Sequence, residues 1–226
     1  MRRNHHKSRN PLFAKRWLAD DTIIRCVQWY LRFKLSYRDL AQIMDELGIC
    51  VAPCTFCDGV IRYSVDFAEA WLPYERALRR SWRCDETYIK VGGQWMYLYR
   101  AVDACGKTVE SHLSRTRDIA AAKVFFRKAL ERHGQPRTIT LEGFEATHSA
   151  LRRMGTRTEF NFRWENPVRI RSCQYLNNVV EQDHRRIKSR VQPMLGFKKF
   201  YNARRVIIGS NSSTSFKRDQ FLIGSI

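Results

Sequence analysis

Apolar residues recur at intervals of three and four over the first third of the chain. Ile23, Val27, Tyr30 and Leu31 follow this spacing, which places them on one face of an amphipathic helix. Comparable periodicity continues through later segments to about Ala70. The pattern therefore indicates a helical region over roughly residues 1–75.

Two shorter helices with a tight turn between them stand out within this region. Ser36 is suited to cap the first helix and Gly48 to end it, while proline is accepted in the first turn of a helix, as at Pro53. We predict the two helices over Tyr37–Leu47 and Pro53–Tyr63. Such a pair is typical of a helix-turn-helix that binds DNA, although an ordinary helical hairpin has the same spacing.

The period of the pattern shortens near Trp82 and becomes that of strands. Residues 83–90 alternate in character, and Trp95–Val102 is rich in aromatic and β-branched side chains. Asp103–Gly106 is a turn signal, and a third strand follows over Lys107–Leu113. Strands with connections this short predict an antiparallel meander.

Helices and strands alternate after the meander. Asp118 is suited to cap a helix that ends at His133 and Gly134. The remaining pattern predicts, in order, a strand over Arg137–Leu141, a helix over Glu145–Met154, a strand over Thr158–Trp164 and a helix over Asn177–Arg190. This is the element order of an RNase H-like α/β domain, a mixed sheet flanked by helices.

A third region, after about Gln192, is rich in lysine and arginine. It ends in Gly209–Ser215, whose serine-rich composition disfavours a helix. The changes in pattern divide the chain into three parts. We expect a basic arm and all-α helix-turn-helix domain over residues 1–75, an RNase H-like catalytic domain over residues 76–205, and a C-terminal tail over residues 206–226.

Composition adds a strong positive charge to this picture. The 226 residues carry a formal charge of +19, which points to a polyanionic partner, with nucleic acid as the first candidate. The sequence has no apolar run of about 18 residues that could span a membrane. The scattered cysteines fit reduced thiols in a cytoplasm, and Cys54 and Cys57 lack a second ligand pair at zinc-site spacing.

Three acidic residues lie where the predicted elements could bring them together. Asp85 is in the first strand, Glu142 follows the end of the fourth, and Glu181 is on the late helix. A charged residue inside a central strand rarely lacks a function, because its burial has to be offset. Carboxylates that converge from separate elements can hold two divalent cations about 3.5–4 Å apart, as phosphodiester chemistry requires.

Several segments resemble the transposases of short bacterial insertion sequences, specifically the insertion-sequence-six family. The most specific match is Tyr-Leu-Asn-Asn followed closely by Glu-Gln-Asp-His. Leu35–Leu40 is similar to the helix-turn-helix of that family, so the resemblance covers about residues 13–205. The segments that carry it are Asp85–Lys90, Tyr97–Asp103, Tyr175–Asn178, Glu181–Arg185 and Met194–Lys198.

The resemblance implies a DDE active site that uses Mg²⁺ or Mn²⁺. It also implies cleavage of double-stranded DNA at terminal inverted repeats, transfer of the freed 3′ end to target DNA, and a homo-oligomer on paired ends in the bacterial cytoplasm, at the nucleoid. Matching by motif assigns the first catalytic and metal-binding acid to Asp85 and the third to Glu181. The second is Glu142, where the family has Asp, and its longer side chain moves the carboxylate by about 1–1.5 Å, comparable to the tolerance of a preorganised site.

Alternative functions stay open at this point. The chain is either an active metal-dependent transposase or, because of Glu142, a catalytically impaired relative that acts only as a DNA-binding protein or repressor. A ribonuclease H or related hydrolase would share the carboxylates but would not need the helix-turn-helix. For a DNA-binding chain we expect contacts from Arg38, Thr55, Arg62, Arg185, Lys188 and Lys198.

Overall fold

The computed structural model describes residues 18–33, 35–71, 77–142, 145–155, 168–173, 185, 188 and 197–213. None of the helices in these ranges is long and apolar enough to cross a membrane. The elements are α1 Asp20–Arg32, α2 Tyr37–Glu46, α3 Pro53–Trp71, β1 Ser81–Val91, β2 Gln94–Asp103, β3 Thr108–Ser114, α4 Ile119–His133, β4 Thr138–Leu141, α5 Glu145–Gly155, β5 Arg169–Ser172 and α6 Phe200–Ser213.

Both helices predicted for the helix-turn-helix are present, and α3 extends to Trp71. The Ser36 hydroxyl accepts a hydrogen bond from the Asp39 backbone N–H at 3.1 Å. The Asp39 carboxylate accepts one from the Ser36 N–H at 2.7 Å, which completes a capping box. Gly48 follows α2 with a φ of +76°, a left-handed conformation that favours glycine and ends the helix.

Asp103 holds a turn and Asp118 caps a helix, both at the places that the sequence predicted. The Asp103 carboxylate accepts hydrogen bonds from the backbone N–H groups of Cys105 and Lys107 at 2.8 and 2.9 Å, which closes the β2–β3 turn. Asp118 caps α4 by accepting from the Ala121 N–H at 2.7 Å. These contacts are local in sequence, which is why the pattern located them.

The five strands form one sheet in the order β3-β2-β1-β4-β5. β1 and β3 each pair antiparallel with β2, whereas β4 pairs parallel with both β1 and β5. This order and these directions are those of the RNase H-like fold, and they confirm the predicted fold class. The fifth strand is Arg169–Ser172, where the sequence indicated no strand. The strand predicted over Thr158–Trp164 lies outside the described residues.

A separate hydrophobic core covers each face of the sheet. On one face, α4 and α5 pack against Trp82, Cys84 and Tyr99. On the other, buried residues of α1, α2, α3 and α6 form one cluster with Ile89 and Leu98 of the sheet. Because successive residues of a strand point to opposite faces, neighbours in β1 belong to different cores. The N-terminal helices therefore share a core with the sheet.

Helix α6 corrects the expectation for Gly209–Ser215, since it runs to Ser213 and through the boundary predicted at residue 205. It lies against α3 at close range. A Cβ on Gly209 would meet the Cβ of Ser64 at 2.7 Å and its carbonyl oxygen at 2.9 Å, so only glycine allows this approach. Tertiary packing overrides the weak helix propensity of the segment.

A buried polar network ties the end of α6 to the sheet. The Arg100 guanidinium donates to Asn211 Oδ1 at 2.8 Å and to the Thr108 hydroxyl at 2.9 Å. The Asn211 amide donates in turn to the Ser111 hydroxyl at 2.6 Å. Hydrogen bonds to a charged group are worth about 1.5–3 kcal/mol each, so this network stabilises the helical state of a serine-rich segment.

Candidate active site

Parallel pairing of β1 with β4 brings two of the three predicted acids together. The last register pair of these strands is Cys84 with Leu141. The residue after each of them is an acid, Asp85 after Cys84 and Glu142 after Leu141. β4 ends there, whereas β1 continues to Val91. The site thus lies at the carboxyl end of a parallel strand, where open α/β sheets commonly form their sites.

The electrostatics of this pair are unfavourable for two free charges. Burial, and next the neighbouring Glu142 carboxylate, raise the pKa of Asp85 from 3.8 to about 7. A hydrogen bond from the Glu86 backbone N–H to Asp85 Oδ1, at 2.6 Å, partly opposes this rise. Two carboxyl groups in one partly buried site can share a proton or hold a cation between them.

The donor set fits a hard divalent cation. Asp85 and Glu142 offer carboxylate oxygens only, and Glu142 lies close enough to Asp85 to share a hydrogen bond with it. Mg²⁺ and Mn²⁺ prefer such ligands, and a positive charge would relieve the repulsion that raises the Asp85 pKa. The two acids could therefore hold a metal ion jointly.

Glu86, the next residue of β1, faces the core formed with α4 and α5, and its carboxylate has an arginine and a threonine hydroxyl as partners. Its carboxylate is only 8% exposed and lies 2.8 Å from Arg117 Nε. The Thr147 hydroxyl of α5 donates a further hydrogen bond to it. These contacts hold the β1 backbone whose N–H binds Asp85. Sequence reasoning missed Glu86, Arg117 and Thr147 as site components, because their contacts span 31 and 61 residues.

The third predicted acid, Glu181, lies outside the described residues. Of the late helix predicted over residues 177–190, Arg185 and Lys188 are described. Both have helical backbone conformation and exposed side chains, and their contact with DNA stays a prediction.

The remaining residues predicted to bind DNA lie on or near the helix-turn-helix. Arg38 of α2 and Arg62 of α3 are exposed, and Thr55 near the start of α3 is half-buried. Lys198 is exposed. Burial raises the pKa of the Cys57 thiol in α3, and the charge of Lys198 is among the effects that partly oppose this rise. Lys198 therefore lies close to α3 although 141 residues separate it from Cys57.

Comparison with known proteins gives matches over most of the chain. A family model of the DDE domain, that of IS240-type transposases, matches residues 79–220. The transposase for insertion sequence-like element IS431mec of Staphylococcus aureus is 36% identical over 178 residues, which are 79% of this chain and 77% of the relative. The transposase for insertion sequence element IS257 in transposon Tn4003, also from Staphylococcus aureus, is 35% identical over the same shares.

Two solved structures share a weaker likeness. The HTLV-2 integrase catalytic core domain in complex with magnesium, in its trimeric form, has a TM-score of 0.42 and 17% identity over 54% of this chain and 75% of that one. A simian T-cell lymphotropic virus intasome with a PP2A regulatory subunit has a TM-score of 0.43 and 13% identity over 60% and 49%. Scores this low do not support an assignment.

The family match and the sequence identity agree with the fold. The matched residues 79–220 include every strand of the sheet and both Asp85 and Glu142. Transposases with a DDE domain are polynucleotidyl transferases. The chain belongs to the insertion-sequence-six family of DDE transposases.

Proposed function

We propose that this chain binds the terminal inverted repeats of an insertion sequence, cleaves DNA there and transfers the strand to target DNA. Asp85, Glu142 and Glu181 are the proposed catalytic and metal-binding acids. The observation that supports this most is the convergence of the Asp85 and Glu142 carboxyl groups where β4 ends, in surroundings that raise the Asp85 pKa. Perturbed pairs of this kind cluster at functional sites.

In this proposal each residue of the site has a distinct task. Asp85 and Glu142 would hold Mg²⁺, or Mn²⁺ in its place, which supplies electrostatic stabilisation of the charge that develops on phosphate oxygens. The Glu86 N–H orients the Asp85 carboxylate through its 2.6 Å hydrogen bond. The buried Cys84 and Leu141 side chains lie on the other face of the sheet and exclude water behind the site.

DNA is the proposed partner of the remaining basic surface. The helix-turn-helix within residues 1–75, with Arg38, Thr55 and Arg62, would recognise the repeat, and residues 76–205 would carry the chemistry. Arg185, Lys188 and Lys198 would bind phosphates, and a charge of +19 makes this binding strongly dependent on salt. We propose a homo-oligomer on paired ends, at the bacterial nucleoid.

A DNA-binding protein without catalysis is the second candidate function. It follows from Glu142, whose side chain is one methylene longer than the aspartate of the family pattern. In the structure the Glu142 carboxyl nevertheless reaches Asp85, so the longer side chain still points into the shared site. This contact favours the active enzyme.

Strand transfer on oligonucleotides that carry the element's own ends tests the proposal. The natural chain, Glu142→Asp and Asp85→Asn are compared in Mg²⁺ and in Mn²⁺. We expect the natural chain to join DNA and Asp85→Asn to be inactive. Joining by Glu142→Asp alone would establish the impaired DNA-binding protein instead. Joining by Asp85→Asn would contradict the assignment of the first acid.

A further inference from the structure

A group of aromatic and basic side chains lies on and beside the β1–β2 hairpin, and of its members Arg117 alone also belongs to the site described above. Its members, here called the hairpin platform, are Tyr88 and Lys90 of β1, Trp95 of β2 and Arg117. Lys90 is the register partner of Trp95, so these side chains share one face of the sheet, the face of Glu86. Trp95 is 63% exposed and Tyr88 is 43% exposed, whereas Trp82 near the start of β1 is buried.

The two rings and the two cations of the hairpin platform are arranged in pairs. The rings of Tyr88 and Trp95 meet edge to face with centroids 6.5 Å apart. Lys90 Nζ lies 5.8 Å from the centre of the Trp95 ring, and the Arg117 guanidinium lies 5.8 Å from that of Tyr88. Arg117 also donates to the Tyr88 hydroxyl at 3.1 Å. Each exposed ring therefore has a positive charge against it.

The hairpin that carries the platform is held in place at its tip. Gly92 and Gly93 form the turn with φ of +58° and +83°, the left-handed values that a two-residue hairpin turn requires. The Gly92 N–H donates to the Phe197 carbonyl at 2.7 Å, and the Phe197 N–H donates to the Lys90 carbonyl at 3.3 Å. A surface held in its binding conformation loses little entropy on binding.

Unpaired nucleotides are the ligand that this combination suits. Proteins bind single-stranded nucleic acid by stacking bases on exposed aromatic rings, at about 1–3 kcal/mol per base, while adjacent cations track the phosphates. A protein partner would need a contact of about 800 Å² per side, far more than two rings provide. The chain's charge of +19 favours a polyanion over another copy of the same basic chain.

The position of the platform relates it to the candidate active site. Tyr88 is three residues along β1 from Asp85, about 10 Å at the rise of a strand, although its side chain faces the opposite side. β4 does not continue beside β1 past Cys84, so β4 does not separate Asp85 from Tyr88. Arg117 connects the two places, since it binds both Glu86 and Tyr88.

We propose that the hairpin platform binds the unpaired nucleotides of a DNA strand beside the position at which Asp85 acts. This inference rests on the proposed function, because it assumes a DNA substrate at Asp85. Trp95 and Tyr88 stack on bases, and Lys90 and Arg117 contact the flanking phosphates.

The test is equilibrium binding of the full chain to two labelled probes at about physiological salt. One probe is a blunt 20-base-pair duplex, and the other is the same duplex with a five-thymidine single-stranded extension, in which 2-aminopurine replaces the middle thymidine. We expect the extension to tighten binding about tenfold, within the range of one stacked base, and the 2-aminopurine fluorescence to be quenched on binding.

Substitutions then locate the effect. Trp95→Ala should lose the preference for the extension and the quenching, with blunt-duplex affinity unchanged. Lys90→Gln should keep the quenching and reduce the salt dependence. The matched control is Tyr201→Ala on α6, since Tyr201 is also exposed, at 62%, and has the Arg205 guanidinium 5.6 Å from its ring. It should retain the full preference.

The outcomes separate this inference from the proposed function. Tight binding of both probes with no preference, or a preference that survives Trp95→Ala, overturns the hairpin platform and leaves the transposase proposal standing. A change in sedimentation equilibrium for Trp95→Ala, without a change in DNA binding, would show a protein interface instead. Failure of the natural chain to bind either probe would overturn both.

Discussion

Asp85 and Glu86 are adjacent acids of one strand, and the structure places them in opposite surroundings. Glu86 lies against α4 and α5 with Arg117 and Thr147 as partners. Asp85 lies on the other face of β1, where burial and the neighbouring Glu142 carboxylate raise its pKa. The buried Glu86 carboxylate has an opposite charge beside it, whereas the partly buried Asp85 carboxylate has a like charge beside it.

The difference separates a structural acid from a candidate functional one. A buried carboxylate with matched partners maintains the fold, and removal of either partner leaves the other uncompensated. A carboxylate that faces another retains the capacity to bind a proton or a cation. Composition alone could not distinguish the two, since both are acids in the same strand, one position apart.

The largest expected effect is on activity, at Asp85. Asp85→Asn removes a proposed metal ligand while it keeps the shape of the side chain, so DNA cleavage should fall by about a thousandfold or more. Cleavage of end-bearing oligonucleotides in Mg²⁺ measures this, with duplex affinity as the control that should stay within about twofold. Cleavage at a tenth of the natural rate would place the first acid elsewhere.

Glu86 should show the reverse, a loss of stability. Glu86→Gln breaks a buried ion pair with Arg117, which is itself about a third exposed, and should lower the free energy of unfolding by about 2–3 kcal/mol. Denaturant titration measures it. The matched control is Glu131→Gln, since Glu131 is an exposed partner of Arg127 at 4.0 Å and should cost less than about 0.5 kcal/mol. Equal losses in the two variants would contradict a structural role for Glu86.

The helices on the Asp85 face of the sheet are held together in part by the close approach of α6 to α3. Gly209→Ala places a methyl group against Ser64 and should destabilise the chain by about 1–3 kcal/mol. Gly59→Ala is the control, because nothing lies within 4 Å of its added Cβ and a helical glycine replaced by alanine should stabilise by about 0.5–1 kcal/mol. Thermal unfolding of both variants distinguishes steric overlap from helix propensity.

The smallest expected effect is the dependence of stability on pH. Because the folded-state pKa of Asp85 is raised from 3.8 to about 7, the folded chain binds this proton more tightly than the unfolded chain. Stability due to Asp85 is therefore complete below about pH 4 and is lost as pH rises towards 7. Asp85→Asn should match the natural chain at pH 4 and exceed it by about 1–2 kcal/mol at pH 7.5, without metal.

Mg²⁺ provides the control for this comparison. Added at pH 7.5, it should raise the unfolding temperature of the natural chain, because a cation that binds only the folded state stabilises it. The Asp85→Asn variant should respond less. If the stability of the natural chain and that of Asp85→Asn depended on pH in the same way, ionisation of Asp85 would not oppose folding.

Most elements whose determinants are local were predicted from the sequence. The capping box at Ser36, the turn at Asp103 and the cap at Asp118 each involve residues within four positions. Period and capping signals carry such information directly. Asp85 could be proposed as the first acid because a charged residue interrupts a strand whose neighbours match a family motif.

Features that depend on distant partners were missed or wrongly predicted. The strand β5 is four residues long and exposed, so it lacks the alternating pattern that would reveal it. The helix α6 extends into a serine-rich segment because Gly209 and Asn211 meet α3 and the sheet. Trp95 is exposed because its side chain lies on the face of α4 and α5, outside the core cluster there, whereas Val91 and Met96 on the other face of the same hairpin are buried.

The sequence by itself predicted the two helices of the helix-turn-helix region, the meander, the helix, strand and helix that follow it as α4, β4 and α5, and the candidate acids. These follow from short-range periodicity, caps and motif spacing. Only the tertiary structure decided that Glu142 meets Asp85, that Glu86 is neutralised by Arg117, and that α6 joins the N-terminal helices to the sheet. The physical reason is that burial and charge compensation depend on which residues meet in space, and those residues are far apart in the chain.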